Sequence, residues 1–133
     1  MTQVLTRVLP RAGVFAAALL AAPGVAYGQG MGAKPESREV TVTGVVVDVS
    51  CKFGQGLTGA DHRMCAQVCA DRGIPLAILG DDGTLYIPTS AAMPGEGQNV
   101  RLKEFAEQKV TVKGRSFSAG GARALEIETI RKA

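Results

Sequence analysis

Valines set the first pattern in this chain. Across residues 38–50, REVTVTGVVVDVS, Val40 and Val42 alternate with polar neighbours before Val45, Val46, Val47 and Val49 crowd together. Period-two alternation of β-branched residues predicts a strand. Gly44 falls inside it, and a glycine within a strand marks a bulge or sharp bend, as where one strand serves two sheet faces of a small barrel. The glycine-rich stretch 51–59 predicts a flexible connection. From residue 60 the period lengthens. Over 60–72, Met64, Cys65, Val68 and Cys69 fall on one side of a helix, and Arg63, Gln67 and Asp71 on the other. Thr58 and Asp61 stand at capping-box spacing, while Gly73 and Pro75 supply the stop. The side carrying the two thiols is expected to be buried, with Met64 in the core.

The remaining elements are shorter. Residues 76–79 and 84–87 predict a hairpin around the turn Asp81-Asp82-Gly83, followed by a loop of small residues over 89–98. Asn99 is placed to cap a short helix over 100–107, with Leu102 and Phe105 facing inward. Two strands close the chain: 109–117, with Val110 and Val112, and 124–130, with Leu125, Ile127 and Ile130. Gly120-Gly121 forms the turn between them. No internal repeat interrupts this order, and nothing marks a second domain.

Five short strands with a helix between the third and fourth are similar to the OB-fold, a small Greek-key barrel. The bent first strand and the final hairpin, VTVKGRSFSAGGARALEIETI, resemble those of small secreted bacterial OB-fold-like proteins. The resemblance spans residues 38–131. It implies a mainly β fold with two helices: a five-stranded barrel, one helix inserted after strand 1 and a short one between strands 3 and 4. It also implies a binding or scaffolding module more than a catalyst, although a fold alone does not fix function.

The first residues change the setting. MTQVLTRVLPR carries Arg7 and Arg11 and no acid, AGVFAAALLAAPGVA is apolar, and Ala26-Tyr27-Gly28 places small residues before Gln29. This is the order of a secretory signal peptide over 1–28, and it predicts a periplasmic or secreted protein. No cysteine stands at the cleavage point, so no membrane anchor is expected after cleavage. Residues 29–37 are expected to be a disordered leader. Removing two arginines leaves 13 Lys+Arg against 12 Asp+Glu, a formal charge of +1. Near neutrality and the absence of Trp argue against a nucleic-acid partner. A domain of about 100 residues buries a marginal core, so a disulfide or metal staple would be useful.

The candidate chemistry lies in one window. Cys51, His62, Cys65 and Cys69 are every cysteine and the single histidine of the chain. On a helix turning about 100° per residue, positions 62, 65 and 69 share an arc of roughly 60°. One histidine and three cysteines are donors of the right type for tetrahedral Zn²⁺, and thiolates also suit Cu⁺. Export keeps a second reading open: a disulfide from Cys51 to Cys65 or Cys69, closing a loop of about 15 residues and contributing roughly 3 kcal/mol. That barrel would be a metal-free interaction module for a protein or small-molecule ligand. A third reading uses Cys65 and Cys69 as attacking and resolving thiols with His62 beside them. Cys65-x₃-Cys69 with a distant histidine also resembles the copper-handling element of thioredoxin-like copper-insertion proteins, but the βαβ pattern of that fold is missing. The two unused groups in any staple favour the metal, and with it a non-enzymatic role. Asp81 and Asp82 are expected to serve the turn, Tyr86 and Phe117 to be buried, and Glu104, Glu107, Glu126 and Glu128 to face solvent.

Overall fold

A computed structural model describes residues 35–133 and shows a closed five-stranded barrel in the order β1-β2-β3-β5-β4. The expected signal peptide, 1–28, and most of the expected leader lie outside the described residues. The strands are β1 (Ser37–Asp48), β2 (Leu76–Gly80), β3 (Leu85–Thr89), β4 (Lys109–Ala119) and β5 (Ala122–Lys132). β1 starts one residue earlier than its valine pattern suggests. Its first part pairs antiparallel with β4, from Ser37↔Phe117 to Val45↔Lys109, and its last part pairs with β2, from Gly44↔Gly80 to Asp48↔Leu76. Gly44 is the pivot between the two ladders, because a Cβ there would collide with the carbonyl of Leu79. The glycine thus serves the bend that the sequence implies. β3 and β5 close the barrel in parallel, and β4 meets β5 across a bulge at Lys113/Gly114.

The barrel interior is the core. Val46, Ile78, Leu102, Val110, Val112 and Leu125 are each fully buried. Burying one such side chain contributes about 1.5–3 kcal/mol. Leu102 enters from α3 (Asn99–Leu102), which runs into a 3-10 turn, Lys103–Phe105, between β3 and β4. Leu102 and Phe105 face inward, as their positions predict.

The segment between β1 and β2 departs from expectation in three ways. First, the supposed loop begins with a helix, α1 (Val49–Gln55), which Gly56 ends at φ 69°. Second, the following helix is split: a 3-10 turn, Ala60–His62, leads into α2 (Arg63–Asp71), with no side-chain cap from Thr58. Third, α2 buries Ala66 and Ala70, leaves Cys69 half-buried, and exposes Met64 and Val68. Small side chains let the helix approach the barrel closely. The larger apolar groups therefore point away, and Met64 is not core.

Asn99 does not cap α3, whose first residue it is. Its Nδ2 donates to the carbonyls of Ala70 (3.0 Å) and Ile74 (2.8 Å), and its Oδ1 accepts from Leu76 N–H (3.0 Å). One amide therefore fastens the end of α2 to the start of β2. Replacing Asn99 by Ala is expected to cost about 1–3 kcal/mol, since it strands buried backbone groups. Denaturant unfolding would show a lower midpoint with an unchanged slope.

Candidate metal centre

Asp48 is the last residue of β1 and the N-cap of α1; its Oδ1 accepts from Cys51 N–H at 2.9 Å. Val49 N–H donates to the carbonyl of Pro75 at 3.2 Å, which ties the first turn of α1 to the approach to β2. Cys51 is held in this capped turn and is buried. The sequence signal for this arrangement is an aspartate three residues before the cysteine with a glycine stop at Gly56. Asp48 belongs to the strand pattern as well, and that pattern conceals it as both cap and donor.

His62 comes from the other side, and Glu107 positions it. Glu107 lies just beyond the 3-10 turn that precedes β4, with φ 58°, a left-handed conformation uncommon for a residue with a side chain. Its N–H donates to the Val46 carbonyl at 2.8 Å, anchoring it to β1. Its side chain is fully buried, contrary to its expected place at a solvated face. Oε2 accepts from Thr58 Oγ1 (3.0 Å) and Gly59 N–H (2.8 Å), while Oε1 lies 3.1 Å from His62 Nδ1. With the ring neutral, a carboxylate partner that only accepts places the hydrogen on Nδ1 and leaves the lone pair on Nε2. Nε2 is buried and has no hydrogen-bond partner.

The four expected ligands fall into two close sets that share Cys51, and His62 is grouped with Asp48 rather than with Cys65 and Cys69. The sulfurs of Cys51, Cys65 and Cys69 lie within 4.8 Å of one another, and so do ligand atoms of Asp48, Cys51 and His62. Every member of the second set is buried, whereas Cys69 is half-buried and Cys65 exposed. Asp48 Oδ2 is a second buried acceptor without a partner. All three cysteines are free thiols. The charge of Asp48 is felt by the sulfurs. The Cys69 thiol is pushed up to about 12, first by the Asp48 side chain beside it, then by burial and the neighbouring negative charges. Cys51 is raised by burial first and then by Asp48. Without a cation, Cys51 and Cys69 hold their protons.

The other candidates are structural. Asp82 Oδ1 accepts from Thr84 N–H at 2.9 Å and Oδ2 accepts from Tyr86 Oη at 3.2 Å, so the Asp81-Asp82-Gly83 stretch is a hairpin turn. Glu126 pairs with Arg115 at 2.5 Å and is partly shielded rather than fully solvated. Phe117 is half-buried. Among the described residues, no helix is long and apolar enough to cross a membrane.

Replacing Asp48 by Asn keeps an oxygen for the cap but removes the charge. The Cys69 pKa is then expected to fall from about 12 toward the ordinary thiol range, because the largest cause of its elevation is gone. Alkylation of Cys69 in metal-free protein, followed by peptide mass spectrometry across a pH series, would shift to lower pH. No family model, curated protein or solved structure matches this chain.

Proposed function

We propose that this chain is an exported, non-catalytic protein that binds a soft metal ion, Zn²⁺ or Cu⁺, through Cys51, His62, Cys65 and Cys69, with Asp48 as a further donor. The observation that carries this reading is the pair of buried, unpartnered acceptors, Asp48 Oδ2 and His62 Nε2, beside the clustered thiols. A buried polar group without a partner costs about 1–3 kcal/mol, and more when charged. A cation bound between Asp48, Cys51 and His62 would satisfy both acceptors and displace the Cys51 proton. The Glu107–His62 pair supports the same conclusion, since a histidine that ligates a metal commonly donates its other ring N–H to a carboxylate. Export is supported by the charged, apolar and small-residue order of residues 1–28.

The proximity of three sulfurs also favours a rival, a disulfide-stapled interaction module without metal. That rival consumes two sulfurs and leaves Asp48 and His62 unsatisfied. A thiol-redox role fares worse, because the raised Cys69 thiol is a poor resolving partner for Cys65.

The deciding measurement is metal content and free-thiol count on protein purified from the periplasm without chelator. Stoichiometric metal with three titratable thiols after chelation is expected; one free thiol and no metal would overturn the proposal. Adding the ion at a hundredfold excess over Kd should stabilise the wild type by about 2.7 kcal/mol. Cys51→Ala should abolish that gain. Glu107→Gln, which weakens the hold on His62, should lower affinity about 10–100-fold.

A further inference from the structure

We infer that the bound ion is exchangeable cargo, taken up by ligand exchange at Cys65 and passed inward to Cys69 and Cys51, and not a structural staple. The inference rests on the metal-binding reading above. Two independent features support it.

The first is a gradient of exposure along one set of donors. Cys65 is exposed, Cys69 half-buried, and Cys51, His62 and Asp48 buried. The three sulfurs lie within 4.8 Å of one another, and Cys51 is common to the outer and inner sets. An ion bound first at Cys65 can therefore gain each deeper ligand before losing a shallower one. A site closed on all sides offers no such first step, as structural zinc centres illustrate.

The second feature is that the barrel's apolar core is assembled without the donor residues. None of Asp48, Cys51, His62, Cys65 and Cys69 belongs to the apolar cluster that fills the barrel. That cluster draws on β1, on all four other strands, on α3 and its following turn, and on Ala70 of α2. Small domains that depend on zinc for folding instead unfold when it is withdrawn.

The exchange step involves no electron transfer. The metal–sulfur bond to a thiolate donor breaks as a bond to Cys65 sulfur forms, and the Cys65 proton passes to the departing donor thiolate. The metal keeps its oxidation state. The donor is identified only by chemistry: a carrier that presents a soft ion on an accessible thiolate.

The test uses the full mature chain and Cu⁺ presented as its glutathione complex, with Zn²⁺ in a parallel series. Stopped-flow transfer and equilibrium competition are measured for the wild type, Cys65→Ser and Cys51→Ser. Cys65→Ser is expected to slow transfer by on the order of tenfold or more while weakening equilibrium binding less than Cys51→Ser does. Unchanged transfer rates in Cys65→Ser would overturn the inference, as would equal losses of affinity in the two variants. Chelation is expected to leave the circular dichroism spectrum and cooperative unfolding of the wild type intact; unfolding on chelation would show a structural ion. Cys65 is exposed, so its substitution spares the core, and Cys65→Ala repeats the test with no oxygen at the position. If the wild type takes up neither ion, the metal-binding reading itself fails, which is a result distinct from normal binding with unaltered kinetics.

Discussion

The buried carboxylate of Glu107 joins the two parts of this protein that chemistry requires to be near each other. It lies between the 3-10 turn Lys103–Phe105 and β4, yet its oxygens hold Thr58, Gly59 and His62, residues about 45 to 49 positions earlier in the chain. A buried anion of this kind is favourable only when its acceptors are filled. Here a hydroxyl, a backbone amide and an imidazole fill them. The backbone accommodates the arrangement by adopting φ 58° at Glu107, where the Val46 carbonyl fixes it. The orientation of His62, and hence the direction of its free nitrogen, follows from this contact.

Asp48 divides its labour in a complementary way. One oxygen caps α1 and so determines where Cys51 sits; the other is left facing the sulfurs. Capping is worth about 1 kcal/mol in general, so the helix alone justifies an aspartate here. The second oxygen is what a neutral cap such as serine would not supply. It helps raise the Cys51 and Cys69 thiols and makes those two poor nucleophiles in the metal-free protein. A cation binding these sulfurs would have to displace the protons that Asp48 helps retain on them.

The barrel was readable in the chain because its signals are local. Valine alternation marks β1 and β4, and Gly44 marks the shared strand. The four-residue stretch around Asp82 makes its turn with its own neighbours. The clustering of cysteine and histidine in one window was equally visible. What the pattern concealed depends on distant partners. Glu107 looks like any surface glutamate until Thr58 and His62 fold against it. Asp48 looks like the end of a strand. The inward face of α2 was misjudged because hydrophobic size suggested Met64 and Val68, whereas close packing against the barrel selects Ala66 and Ala70. Helix α1 was hidden by Gly54 and Gly56, which suit a loop as well as a short helix and its stop.

Asp48 and Leu76 are paired partners across the β1–β2 ladder. The whole of residues 49–75 therefore leaves the barrel and returns to it at adjacent positions. In an ordinary antiparallel hairpin that gap is bridged by a turn of two to five residues. The thiol-bearing insertion thus amounts to an enlarged hairpin loop, added where the ladder already had to reverse. Its three thiols and His62 travel together as one cassette, while Asp48, Asn99 and Glu107 are the sockets that the rest of the fold holds out to it. A chemistry arranged in this way can be gained, lost or rebuilt without redrawing a single strand.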